Sequence, residues 1–356
     1  MDALHFHGKT REPAFQIARI SWQAASLIIP KARFANGGEM YIRIADLFCG
    51  IGGIAEAAQT LPEYPHTDTA PLVDKLRKSR PKVVTAIDID RSVASLYQHH
   101  HGLVPRCSTI ESLQRVAEDS DEELDMWWLS PPCQPYTKRG SQLGDLDSRS
   151  LALARLIQLI PRELPRLIGL ENVPAFEGSQ HHQQMKQTLT DSGYQCKEYT
   201  LCPTDLGIPM RRKRFYLLAK QGGRSFPNIA ISKRQRPLTE FINDACWEDH
   251  SLKVPPDAVR HYESAMNIIE VGSRDAVTAC FTSAYGKSPI RSGSYLYSSM
   301  HDSIRRFSPN EIAKLMGFRE GFFSTTNLSQ RSQYRLIGNS LAVPVVCELL
   351  SVLLAE

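Results

Sequence analysis

The sequence predicts an α/β protein in which a mostly parallel sheet, covered by helices on both faces, is interrupted late in the chain by a small inserted domain. Three observations predict it. Short apolar runs alternate with helical runs from residue 41 to 220, and strands alternating with helices build parallel sheets through right-handed crossovers. A glycine cluster, "CGIGG" at residues 49–53, stands between the first such strand and the first helix. After Gly222 the alternation stops, Pro, Ser and Gly become frequent, and no long helical period returns until "SPNEIAKLMGF" at 308–318.

Each element has its own signal. "YIRIADL", 41–47, is a short apolar strand, and a helix starts near Ile54 beyond the glycines. "KVVTAIDID", 82–90, is a second strand, followed by the helical run "RSVASLYQHH". "LDMWWLS", 124–130, and "LIGLENV", 167–173, are a third and fourth, separated by the helical "SLALARLIQLI". "RFYLLAK", 214–220, adds another strand, and "LAVPVVCELLSVLLA", 341–355, reads as a closing helix that packs back on the first domain. The expected organisation is therefore an extension over 1–39, ahead of Met40, a main domain over 40–221 and 304–356, and an insert over 222–303.

At 356 residues, with 42% hydrophobic and 22% charged residues, the chain can build a large core and has the composition of an ordinary globular protein. No run of about 18 uninterrupted apolar residues marks a membrane span, and the N-terminal segment lacks a signal-peptide cleavage pattern. Net charge is only +4, yet Arg211 to Arg236 carries nine basic residues and no acidic one, a footprint for a polyanion. The eight cysteines form no CxxC pair and no zinc spacing, as in a reduced, cytoplasmic protein without a structural metal. His99 to His101 and the pair His181, His182 read as exposed helix-end histidines.

Two groups of residues carry chemistry. Gly50, Gly52 and Gly53 let a ligand approach the backbone at a helix head, and Asp88, at the end of the next strand, can accept bonds from two ribose hydroxyls. The G-x-G-x-x-G fingerprint of a pyrophosphate is missing, so a sulfonium nucleoside fits better than a dinucleotide. The second group centres on "LSPPCQPYTKRG", 129–140, where prolines stiffen the loop that presents Cys133 beside Lys138 and Arg139. A thiolate nucleophile needs nearby positive charge. Arg212 and Arg214 offer more of it, alternating so that both can face one side, and Glu171 ends a strand at the sheet edge where such folds bind ligands.

The ordered set "DLFCGIGG", "SPPCQPYTKRG", "LENV", "GIPMRRKRFY" and "GNSLAVPVV" closely resembles the cytosine C5-methyltransferases, over residues 41–356 apart from much of the insert. The resemblance implies the S-adenosylmethionine-dependent methyltransferase fold, Rossmann-like, with a target-recognition insert. It implies that Cys133 is the nucleophile, Glu171 the acid that engages the base, and Arg212 and Arg214 the pair that organises the site. Phe48, Gly50, Ile51, Gly52, Gly53, Asp88, Ile89, Thr109, Ile110, Ser130, Asn339 and Ser340 match positions that contact S-adenosyl-L-methionine. The implied chemistry is addition of Cys133 to carbon 6 of cytosine while Glu171 supports protonation at N3, which makes carbon 5 nucleophilic. The base must leave any helical stack first.

"CFTSAYGK", 280–287, and Met210, where many DNA-directed members carry Gln, resemble the branch that modifies tRNA anticodon loops. Nucleic acid is thus the expected partner, with tRNA favoured and DNA, as in a restriction-modification enzyme, the alternative. Lys138, Arg139, Cys280, Phe281 and Thr282 are the expected substrate contacts. A catalytically silent binding module, the reading from another class, would have lost Cys133 or Glu171, and both are present.

Overall fold

A computed structural model of the chain describes residues 40–61, 79–118, 123–132, 150–222, 225–229, 231–232 and 234–355. The expected extension, 1–39, and the loop bearing Cys133, Lys138 and Arg139 lie outside the described residues.

The chain begins with β1 (Met40–Leu47), α1 (Gly53–Thr60), β2 (Ser79–Asp88), α2 (Ala94–His101), the two-residue β3 (Arg106–Cys107) and β4 (Met126–Leu129). Then come α3 (Leu151–Glu163), β5 (Leu167–Asn172), α4 (Gln180–Asp191), β6 (Tyr194–Leu201) and β7 (Arg214–Gln221). The remainder supplies α5 (Pro256–Tyr262), β8 (Asn267–Glu270), β9 (Ser294–Ser298), β10 (Ser303–Arg306), α6 (Pro309–Leu315), α7 (Gln330–Asn339) and α8 (Val343–Leu354). The strands read from sequence are found, most within two residues at either end. The sequence reading left out β3, α4, β6, α7 and the three short strands β8 to β10.

Seven strands form one sheet in the order β3-β2-β1-β4-β5-β7-β6. The pairs from β3 through β5 are parallel, whereas β7 lies antiparallel between β5 and β6. Central strands of such a sheet are covered on both faces and need apolar side chains throughout, and all four residues of β4, "MWWL", are buried. The antiparallel register sets Asn172 opposite Phe215 and Glu171 opposite Tyr216. The first residue of β7, Arg214, therefore stands at the carboxyl end of β5.

A second sheet, β10-β9-β8, has three strands. Its Tyr295 and Leu296 belong to the same buried cluster as Phe307, Ile312 and Val345. The small sheet thus shares a core with α6 and α8. Serine and glutamate cap α6 reciprocally: Glu311 N donates to Ser308 Oγ at 3.2 Å and Ser308 N to Glu311 Oε2 at 2.7 Å, a capping box. Glu311 also takes a two-pronged bond from the fully buried Arg305, at 2.8 and 2.7 Å.

By composition alone, the stretch Gln330–Leu354 is long and apolar enough to cross a membrane. Inside the fold it breaks between Asn339 and Val343 into α7 and α8, and 89% of its most apolar window is buried. A helix apolar on every side is a core helix when protein surrounds it.

Candidate active site

Most of the described residues singled out for chemistry lie along one edge of the large sheet, at the carboxyl ends of β1, β2, β4 and β5 and the start of β7. The strand order reverses between β1 and β4, and open α/β sheets bind ligands at such a switch point.

On the β1–β2 side the chain leaves β1 through three successive left-handed positions, Phe48 at φ 63°, Gly50 at 50° and Gly52 at 85°. A non-glycine residue held at positive φ is strained and recurs at ligand clamps. Gly52 has no substitute, because a Cβ there would overlap the His101 ring. Asp88 holds the turn in place: Gly50 N donates to its Oδ2 at 2.8 Å and Asp90 N to its Oδ1 at 2.8 Å. Each carboxylate oxygen keeps a lone pair for a further donor. Burial raises the proton affinity of Asp88, opposed by the Asp90 and Gly50 amides. Ile89 beside it is 69% exposed, an apolar surface open to a ligand. Open space over Gly50, a carboxylate that can accept hydroxyls and an exposed isoleucine fit an adenosine-bearing group. Across the switch point, Ser130 N bonds Leu47 O at 3.1 Å and Ser130 Oγ accepts from Trp128 Nε1 at 3.1 Å. Thr109 is exposed, while Ile110 is buried in the core.

Beneath the turn, Tyr97 OH donates to the buried Asp46 Oδ2 at 3.0 Å. Burial pushes Asp46 up to about 8, with the Tyr97 bond opposing and Asp88 adding to it. The folded chain thus binds a proton that the unfolded chain releases, and stability falls as pH rises from 3.8 toward 8. Asp46→Asn, which keeps an acceptor for Tyr97, is expected to be more stable than the parent by on the order of 3 kcal/mol above about pH 8. Thermal midpoints compared at about pH 5 and pH 8.5 check this, and identical pH slopes in the two proteins would refute it.

On the β5–β7 side, Arg214 Nε meets Glu171 Oε1 at 3.1 Å, with side chains 15% and 12% exposed. Burial raises the proton affinity of Glu171, and Arg214 and Arg212 only partly offset this. Such a carboxyl group can hold a proton for a substrate.

Arg212 behaves differently from its expected partner role. It precedes β7, is 3% exposed, and reaches backbone carbonyls: Phe281 O at 3.1 Å, Gly338 O at 3.2 Å and Ser340 O at 2.5 Å. It clamps the "CFT" turn to the end of α7. Gly338 makes that junction, since a Cβ would overlap the Thr282 backbone. The two arginines share one neighbour, Cys280, whose Sγ lies 3.5 Å from Arg212 Nη1 and 3.9 Å from Arg214 Nη2.

The remaining expected contacts divide. Phe281 is 1% exposed and its ring stacks edge-on against Tyr285 and Phe307, each 5.0 Å between centroids. It is a core residue that offers the site only its carbonyl. Thr282 N bonds Ser292 O at 2.8 Å and Thr282 Oγ1 accepts from Ala284 N at 3.3 Å, which shapes the turn. Asn339 is exposed at the end of α7 and Ser340 is 8% exposed.

The histidines correct the sequence reading. His181 and His182 are 7% and 6% exposed, and His182 Nε2 bonds Glu198 at 2.9 Å. His100 Nε2 bonds Phe322 O at 2.8 Å, and His101, half-buried against Gly52, is driven down to about 4 chiefly by burial. Packing partners far along the chain, invisible in a local run of polar residues, bury them. Among the described residues no group of His, Cys, Asp and Glu is arranged to hold a metal.

Sequence reasoning missed Arg335 altogether. From α7 it bonds Asp90 Oδ2 at 2.6 Å and Ser92 Oγ at 3.0 Å, joining α7 to the loop that follows Asp88. A bond across 245 positions leaves no local signal.

The chain is 30% identical to the tRNA (cytosine(38)-C(5))-methyltransferase of Schizosaccharomyces pombe, over 88% of this chain and 97% of that one. It overlays the crystal structure of the S. pombe Dnmt2 methyltransferase with a TM-score of 0.72 at 28% identity, covering 88% of this chain and 98% of that one. The Entamoeba histolytica methyltransferase EhMeth shares the fold at a TM-score of 0.76 and 23% identity, over the same two shares. With residues 42–355 matching the family described as C-5 cytosine-specific DNA methylase, and Glu171 and Arg214 paired at the sheet edge beside a glycine turn, the chain belongs to that family.

Proposed function

We propose that this cytosine C5-methyltransferase acts on an unpaired cytosine of a tRNA anticodon loop, with S-adenosyl-L-methionine as methyl donor and the cytoplasm as its place of work. When bound, that cofactor supplies an electrophilic methyl group on a sulfonium. Phe48, the glycine turn, Asp88 and Ile89 would hold it on the β1–β2 side, with Ser130, Asn339 and Ser340 facing it.

The observation that carries the chemical reading is the half-buried Glu171 carboxyl group, bonded to Arg214 at 3.1 Å and raised in proton affinity. Cytosine carbon 5 is a poor nucleophile. Addition of the Cys133 sulfur to carbon 6, with a proton from Glu171 shared at N3, places electron density on carbon 5. Carbon 5 then takes the methyl group, loses its proton to a base, and expulsion of Cys133 restores the aromatic ring. Arg214 fixes the rotamer of Glu171, and Arg212 holds the turn beside it.

Two observations support tRNA over duplex DNA. The relative from S. pombe is a tRNA enzyme by name, and the insert proposed as the recognition domain, 222–303, is small for a reader of a duplex groove. An anticodon loop offers its base without the few kcal/mol that unstacking a paired base costs. Phosphate contacts from the Arg211 to Arg236 run are sequence-independent, so turnover is the informative readout. Folded tRNA is expected to be methylated at least about tenfold faster than duplex DNA, a margin of roughly 1.4 kcal/mol in the barrier. Matched reactions with labelled cofactor, read by bisulfite sequencing and with Cys133→Ala as the inactive control, measure it. Dense methylation of the duplex with unmodified tRNA would make the protein a DNA enzyme.

A further inference from the structure

The Glu171 side of the site holds two guanidinium groups, Arg212 and Arg214, against one carboxyl group. Arg212 is nearly inaccessible, and its bonds go to three backbone carbonyls and to Cys280 Sγ. Carbonyls solvate a cation without neutralising it, and a buried cation without a counter-charge is costly. Glu171 cannot serve both arginines, because the proposed reaction asks it to carry a proton. The cluster lacks an anion.

Cys280 stands where that anion belongs. Its sulfur faces Arg212 Nη1 at 3.5 Å and Arg214 Nη2 at 3.9 Å, two donors that only an acceptor satisfies. A neutral thiol would have the Phe281 carbonyl at 3.6 Å as its acceptor, and Arg212 already bonds that carbonyl at 3.1 Å. The other titratable groups around the cluster are Glu171 from β5, Tyr216 from β7 and Cys202 ahead of β7, while the end of α7 contributes only the Gly338 and Ser340 carbonyls.

We propose that Cys280 is a thiolate in the folded protein and acts as a positioning residue, the second anion of a four-membered cluster in which Arg214 is divided between Cys280 and Glu171. Burial opposes ionisation of Cys280, yet Arg212 and Arg214 outweigh it and hold the thiol below its ordinary range. The consequence rests on the methyl-transfer reading above: with Arg214 engaged by the thiolate, Glu171 is released from a full ion pair and keeps the proton it needs. Cys280 thereby tunes Glu171 without touching the base.

Two measurements test this. The first needs no substrate. In Cys133→Ala protein, the rate of Cys280 alkylation by iodoacetamide, followed by peptide mass spectrometry, is expected to be nearly flat between about pH 6.5 and 8, since the thiolate is the reacting form. A rate that climbs about tenfold per pH unit, as for a thiol with a value near 8.5, overturns the proposal. The second compares Cys280→Ser and Cys280→Asp. In the serine variant Arg214 turns fully to Glu171, so the alkaline limb of the kcat profile should move to lower pH by about one unit, a tenfold loss above the limb, and the aspartate variant should restore it. An unmoved limb in Cys280→Ser overturns the positioning role. Absence of methyl transfer by the unaltered protein on any nucleic acid would refute the functional reading alone, because the alkylation profile still decides the thiolate.

Discussion

Glu171→Gln is expected to lower kcat for cytosine methylation by ~10²–10⁴-fold, the usual worth of a positioned general acid, with KM for the nucleic acid changed far less. The amide keeps an oxygen for Arg214 Nε, which now stands 3.1 Å from the carboxylate, so the local geometry survives. What it loses is a transferable proton at N3, and without that carbon 5 gains little electron density when the thiol adds to carbon 6. Because burial raises the proton affinity of Glu171 above the ordinary carboxylate range, despite Arg214 and Arg212, the protonated form persists to higher pH than in a free glutamate. The rate should therefore fall as pH rises through the raised value, and the variant should lack that limb. Single-turnover rates across pH on one tRNA substrate measure both effects. Parental turnover in Glu171→Gln would remove Glu171 from the chemistry.

Arg212→Met is expected to destabilise the fold by about 3 kcal/mol or more, a larger effect than its neighbour Arg214 should show. Its guanidinium bonds the Phe281, Gly338 and Ser340 carbonyls, and each buried polar group left unpaired costs roughly 1–3 kcal/mol. The methionine fills similar volume, so the loss reports on the bonds and not on a cavity. Denaturant midpoints at constant slope give the number. A change below about 1 kcal/mol would show that the turn at Thr282 and the end of α7 hold together without the clamp. Arg212→Met combined with Cys280→Ser should cost less than the sum of the two single changes, because each leaves the other's charge unpartnered.

The glycine turn, Asp88, Glu171 and the arginine pair were legible in the sequence because each belongs to a short segment with fixed local geometry. A strand that ends in glycines must turn, and alternating apolar strands must cross over in one hand. Short strands such as β6, "YQCKEYTL", were not legible. Its exposed and half-buried residues follow no apolar run, and only pairing with β7 makes it a strand. Likewise α4 and α7 are largely polar helices, and what fixes them is a buried stripe against partners supplied from elsewhere.

By itself the sequence determined the fold class, the strand-to-helix turn at Gly50 to Gly53, and the family to which the chemistry belongs, since these follow from local periodicity and from residue types in order. Only the tertiary structure decided how the arginines divide their work. The antiparallel seating of β7 between β5 and β6 brings Arg214, the first residue of its strand, to the end of β5 where Glu171 waits; a parallel strand would have carried it to the opposite edge. The same chain path leaves Arg212 outside the strand, free to reach the carbonyls of Phe281, Gly338 and Ser340. Strand direction in a sheet is a choice among long-range pairings of similar local cost, and no property of "RRKRFY" read alone selects one.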